Sequence, residues 1–373
     1  MRLVDIYGKL WKPLGKSGYL PHQGFKNPFP LSNNDTAIGI EVEAEGFAGF
    51  AVDRDTLDRI TLVWPSKPEN SLRDRGVEFI TFPIKGVDVG YALHLLVCMN
   101  KSGKLRYTDL AGLHVHLNVR GWTVDMFKNL AMIYLVFEDS LYRISGQRQR
   151  SIYCLPARIS WSGLPYLMET SDLPEAVRLA NKYMGFNYKT IKNFGTVEFR
   201  HSKGTPDVSY IHHWINTLLR MHTAAEQFQS VELKERIFQL NTNSSYQQFA
   251  NDIFKEDVDW ISCPDLSTEM SEGVSILKEW SIMPHINSTK ILDTVVKPQK
   301  KAVLASSTNA VVNWKEVAAR MQWHGDAPIV AVDPQFVGMR VDNNVIPNVA
   351  VPPLPKVEAY RDDDGVMKLR YVP

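Results

Sequence analysis

A chain of 373 residues, 44% hydrophobic and 22% charged, has material for a sizeable core and more than one structural unit. A net charge of +1 gives no global electrostatic case for nucleic acid or an anionic membrane as partner. No apolar run reaches the roughly 18 residues that a membrane span needs. The opening MRLVDIYGKLWKP lacks the apolar core of a secretory signal. Cys98, Cys154 and Cys263, an odd set without metal spacing, read as reduced thiols, so a cytoplasmic location is expected.

Residues 1–35 are rich in Gly, Pro, Lys and Asn and read as an irregular leader. Segment 38–45 (IGIEVEAE) alternates apolar and acidic residues, the period of a half-buried strand. Segment 77–82 (VEFITF) repeats that pattern before Pro83. An apolar helix is predicted over 87–101, stopping at Ser102-Gly103, and a third alternating strand over 112–119 (GLHVHLNV). Residues 123–144 suit a long buried helix with Thr123 as N-cap. Segment 196–201 (TVEFRH) is the fourth alternating strand, and Asp207 opens a second long helix to about Gln229. Beyond residue 230 the pattern turns helical over 231–240, 244–256 and 271–281. A linker is predicted at 298–311 and one more helix at 312–322, followed by a Pro- and Val-rich extended tail over 327–373 that is available for subunit contact. The division expected is a leader to residue 35, a catalytic domain over 36–230, a helical region over 231–326 and the tail.

In a strand, residues i and i+2 share a face. Ile40, Val42 and Ala44 therefore oppose Glu41, Glu43 and Glu45, and Leu113, Val115 and Leu117 oppose His114, His116 and Asn118. Val197 and Phe199 oppose Thr196, Glu198 and Arg200, while Glu78 stands between Val77 and Phe79. Paired in one sheet, these strands make one apolar face for the helices. The other face gathers Glu41, Glu43, Glu78, His114, His116, Glu198 and Arg200, with no lysine. An ordinary solvated face mixes Thr, Lys, Ser and Gln and pairs opposite charges across strands. Four carboxylates and two imidazoles call instead for a divalent cation, Mg²⁺ or Mn²⁺ by their oxygen-rich chemistry. Arg200 nearby suits an anionic phosphate oxygen, and the combination points to phosphoryl transfer. Two other classes compete: a metal-dependent hydrolase or oxygenase using both histidines and one Glu, and an inactive domain serving as a binding module.

The segments GIEVEAE (39–45), ENSLRDRGVEFITFP (69–83), GLHVHLNV (112–119) and NYKTIKNFGTVEFRHSKGT (187–205) resemble, in the same order, those of the phage and bacterial amidoligases of the glutamine synthetase and glutamate–cysteine ligase superfamily. The resemblance spans roughly residues 36–230. It implies an α+β fold: a glutamine synthetase-like antiparallel sheet with one polar face, helices on the other, and a mainly helical C-terminal region added to it. It also implies an ATP-dependent carboxylate–amine ligase that activates a carboxylate, often a glutamyl one, as an acyl phosphate.

Carried onto this sequence, the resemblance makes Glu41, Glu43, Glu78, His114 and Glu198 ligands of Mg²⁺ or Mn²⁺. It gives Glu78, Glu198 and Arg200 catalytic roles, and puts His116, Arg150, Arg200, Asn187 and Thr205 against ATP or the substrate. Where the family commonly has Asp-Gly-Ser, this chain has Glu69-Asn70-Ser71, which leaves the loop's role and Glu69 as a ligand open. Partners implied are a small amine and a carboxylate, from amino acid, polyamine or peptide. No membrane is implied, nor nucleic acid save as a modified-base substrate; a homo-oligomer is allowed, and the location is the host cytoplasm if the chain is phage-encoded.

Overall fold

Alternation at period two becomes a six-stranded antiparallel sheet. Its strands are β1 (Ile38–Ala44), β2 (Ser66–Pro68), β3 (Val77–Ile80), β4 (Gly112–Asn118), β5 (Phe186–Asn187) and β6 (Thr196–Lys203), in the spatial order β2-β3-β1-β4-β6-β5. The computed structural model describes residues 1–12, 25–159, 163–282, 356–361 and 367–372. The helices, in chain order, are α1 (Leu3–Tyr7), α2 (Arg54–Val63), α3 (Val87–Ser102), α4 (Val124–Ile144), α5 (Gly163–Thr170), α6 (Leu173–Leu179), α7 (Ile191–Phe194), α8 (Val208–Gln227), α9 (Ser230–Phe238), α10 (Asn243–Phe254), α11 (Val258–Ile261) and α12 (Leu266–Ile282). The leader, expected to be irregular, thus contains one short helix. The predicted linker and helix at 298–311 and 312–322 lie outside the described residues. Within the segment expected as an extended tail, β7 (Lys356–Arg361) and β8 (Met367–Val372) pair as an antiparallel hairpin in a second compact unit.

The helix starts follow local chemistry. Thr123 Oγ1 accepts the Met126 amide at 3.2 Å and Asp207 Oδ1 accepts the Tyr210 amide at 3.1 Å, so each cap satisfies a donor left orphaned by the first turn. The apolar faces of β1, β4 and β6 (Ile38, Ile40, Val42, Leu113, Val115, Leu117, Val197, Phe199) are buried together with α3, α4 and α8 in one core. Asn129 of α4 donates to Ala225 O (3.1 Å) and Phe228 O (2.7 Å), tying α4 to carbonyls that the end of α8 leaves free.

Register is regular except between β4 and β6. Leu113 faces Ser202 while Val115 faces Phe199, so Arg200 and His201 together span the single residue His114. This bulge inverts parity along β6. Before it the even positions share the polar face; after it Ser202 turns into the buried side and Lys203 takes its place.

Behind the sheet, the Tyr134 hydroxyl stands 2.7 Å from Glu138 Oε1 and 2.8 Å from His201 Nε2. Glu138 also accepts the backbone amides of Ala157 (2.5 Å) and Arg158 (3.1 Å), which fixes the segment after Cys154 to α4. Burial pushes the Glu138 carboxyl up to about 7, against those hydrogen bonds, and burial with the charge of Arg148 pushes His201 down to about 3.

Glu138 carries a pH dependence of fixed sign. Its folded-state value lies above the unfolded one near 4.5, so the folded chain holds an extra proton between the two. The stabilisation is complete below pH 4.5 and is lost as pH rises through about 7, at about 1.4 kcal/mol per unit. Urea unfolding at pH 5 and pH 8 should show Glu138→Gln with the flatter profile; parallel profiles would refute the assignment. At Gly273, α12 meets α4 backbone to backbone, since a Cβ there would lie 2.0 Å from Leu135 O and 2.8 Å from Val136 Cα. Gly273→Ala should therefore lower the unfolding free energy by about 1–3 kcal/mol, and an unchanged midpoint would exclude that contact.

Candidate active site

The polar face is laid out by strand register. On one row Lys67 (β2) faces Glu78 (β3), which faces Glu43 (β1). On the next, Glu41 faces His114; on the third, His116 faces Glu198, which faces Asn187. Neighbours within a row stand under 5 Å apart, and the long side chains also reach the adjacent row. Glu41 bridges both imidazoles, with Oε2 3.2 Å from His114 Nδ1 and Oε1 3.2 Å from His116 Nε2. His114 Nδ1 is also 3.6 Å from Glu198 Oε1. Asn187 donates to Glu198 Oε2 at 2.7 Å, and Arg200 pairs with Glu198 Oε1 while its Nε donates to Tyr153 O at 3.3 Å. Glu43 accepts the Gly112 amide at 2.6 Å.

Glu43, Glu78, His114 and Glu198 are buried, and Glu41, His116 and Arg200 partly so. Burial by itself raises the Glu41 carboxyl, but the close imidazoles of His114 and His116 outweigh it and hold the group well below the usual range. Glu198 is likewise lowered against its burial, by the charges of His116 and Arg200. Glu78 goes the other way, pushed up to about 7 by burial and then by the charge of Glu41, with Lys67 opposing. His116 is raised: the close Glu41 carboxylate and the charge of Glu198 exceed the effect of burial.

Three groups of donors each bring one ligand atom apiece within 4.8 Å of one another: Glu41, His116 and Glu198; Glu41, Glu78 and His114; and Glu43, Glu69 and Glu78. Glu41 and Glu78 are each shared by two groups. Two buried atoms of these groups, Glu78 Oε2 and His116 Nε2, make no hydrogen bond of acceptable geometry although charged partners lie 2.5 and 3.2 Å away. Oxygen-rich donors with free lone pairs fit Mg²⁺ or Mn²⁺.

Other expected residues sit differently. Thr205 lies in the loop to α8, where its hydroxyl accepts the Asp207 amide at 3.1 Å. Arg150 ends a short 3₁₀ turn, Arg148–Arg150, and its side chain is outside the described residues. Arg148, two residues earlier, turns inward. It is buried, with Nη1 donating to Ser202 O at 2.9 Å and Nε unpartnered. The altered loop costs no backbone strain at Asn70, because the left-handed residues there are Asp74 and Arg75. Its Glu69 carboxylate reaches Glu43 and Glu78 while Glu69 Oε1 accepts the Ser71 amide at 2.9 Å. Glu45, on the same face by parity, instead braces this loop by accepting the Arg73 amide at 2.9 Å. The face also holds a lysine, contrary to expectation: β2 supplies Lys67, 2.5 Å from Glu78 Oε2.

Gly112 leaves the room in which these groups converge. A Cβ on it would stand 2.7 Å from His114 Nε2, 2.9 Å from Arg148 Nη1 and 3.1 Å from Glu43 Oε2. Gly112→Ala should keep the circular dichroism of the parent yet weaken Mn²⁺ binding about 10–100-fold. Equal Mn²⁺ affinity by paramagnetic resonance would show that the three side chains do not act together.

Comparison with curated proteins finds no relative of the chain. Residues 37–162, about a third of the chain, carry β1–β4 and so every member of the three donor groups except Glu198, and this segment is similar to the family whose model is described as "Putative amidoligase enzyme".

Proposed function

We propose that the chain is an ATP-dependent carboxylate–amine ligase working through an acyl phosphate, on a glutamine synthetase-like sheet. The observation that carries this reading is the set of three overlapping donor groups, joined through Glu41 and Glu78, with arginines at their margin. The amidoligase match supports a ligase-type enzyme for the segment 37–162.

Glu41, Glu43, Glu78, His114, His116 and Glu198 would hold Mg²⁺ or Mn²⁺. Bound there, the cations would offset the charge of the nucleotide's β- and γ-phosphate oxygens. Arg200 is oriented by Glu198 on one side and Tyr153 O on the other, which leaves its remaining N–H groups for the phosphoryl oxygens. Arg148 adds a buried positive charge behind Glu43. In the first step a carboxylate oxygen attacks the γ-phosphorus and ADP leaves. In the second an amine attacks the acyl carbon, phosphate leaves and the nitrogen gives up a proton. Asn187 keeps Glu198 in place while both occur.

A hydrolase or oxygenase centre of the two-histidine, one-carboxylate type needs both imidazoles on one ion. Among the described residues, each donor group contains at most one histidine. His114 and His116 are instead both engaged with Glu41.

With Mg²⁺, ATP and mixed amino acids and polyamines, the protein should release ADP when the right acid and amine are present. Glu41→Gln and Glu198→Gln should each lower that rate about 10²–10³-fold. Parent-like turnover in both variants, or no nucleotide binding at millimolar ATP, would sink the proposal.

A further inference from the structure

The third donor group differs from the others in composition. Glu43, Glu69 and Glu78 are three carboxylates with no imidazole among them, and Glu43 and Glu78 stand directly opposite on paired strands. Like charges so placed repel, and the chain itself supplies a counter-charge from the neighbouring strand. Lys67 faces Glu78 across β2 and β3, with its Nζ 2.5 Å from Glu78 Oε2.

We propose that the Lys67 ammonium is the resident cation of the Glu43–Glu69–Glu78 position, and that a divalent cation enters there only by displacing it. This rests on the reading of the polar face as a divalent-cation site. Three features carry it. Lys67 Nζ lies 2.5 Å from Glu78 Oε2, so the ammonium puts its charge directly on a carboxylate oxygen that would otherwise face the cation position. The lysine side chain is 57% exposed while that of Glu78 is 6% exposed, so the cation can swing into solvent while the carboxylate stays. Its strand is the sheet edge and three residues long, so that movement needs no change elsewhere in the sheet. The group of Glu41, His116 and Glu198 has Arg200 on its Glu198, but that side chain is mostly buried and is also held by Tyr153 O, so it has no comparable freedom to leave. The group of Glu41, Glu78 and His114 meets Lys67 only through the shared Glu78. The position nearest Lys67 is therefore the last to fill, and its occupancy is set by the free metal concentration.

The test is a Mn²⁺ titration of the whole chain followed by paramagnetic resonance, without nucleotide or substrate. Lys67→Met should gain one site, or tighten one site about 10-fold, with the others unchanged. Adding Glu69→Gln to that variant should abolish the gain, and Lys67→Arg should behave like the parent. Superimposed titrations of Lys67→Met and the parent would overturn the displacement, as would a gain spread equally over all sites, which a distant charge would produce. Failure of parent and variants alike to bind Mn²⁺ would overturn the metal reading itself, and is a different result from superimposed binding curves.

Discussion

The structure turns on a repulsion that the fold enforces. Antiparallel register sets Glu43 against Glu78, and one row away brings Glu41 close enough to raise the Glu78 carboxyl. Buried like charges are costly, so everything around them is compensation. Two imidazoles close on Glu41, an arginine on Glu198, a lysine on Glu78 and a backbone amide on Glu43. The compensation is incomplete, since buried lone pairs on Glu78 and His116 stay without hydrogen bonds. That residual negative charge is what the proposed divalent cations would neutralise, and through them the proposed phosphate binding would follow.

The apolar side of the same strands makes that arrangement affordable. α3, α4 and α8 share one core with Ile40, Val42, Val115 and Phe199, and the α4–α8 pair is locked by Asn129. α12 closes on α4 through Gly273. The helices beyond residue 230 thus brace the outer side of α4, whose inner side supports the strands that carry the carboxylates.

Much of this was legible in the sequence because period-two alternation is physically direct. Glu41, Glu43, Glu78, His114, His116 and Glu198 fall on one face as soon as β1, β3, β4 and β6 are recognised, and Thr123 and Asp207 mark helix starts through their side-chain chemistry. What escaped has equally plain reasons. β2 is three exposed residues, Ser-Lys-Pro, too short to show a period, so the lysine at the edge of the acidic face went unseen. β5 is two residues, and its Asn187 was placed by resemblance alone. Arg148 sits in a 3₁₀ turn, and only the turn's geometry decides that it is buried. Glu69 depends on the path of a loop whose left-handed residues, Asp74 and Arg75, carry no composition signal.

The bulge in β6 gives that strand two frames. Upstream of it, Glu198 and Phe199 are keyed to β4 and β5; downstream, Ser202 meets Tyr210 at 3.0 Å and Lys203 meets Asp109 at 2.9 Å in the opposite phase. Without the bulge, a strand of the same length would keep a single phase, leaving Glu198 in register while turning Lys203 toward the buried side. The extra residue therefore works as a spacer that separates two tolerances. The half of the strand that carries Glu198 is fixed by its neighbours, while the half leading to the loop before α8 is free to diverge with whatever that loop contacts.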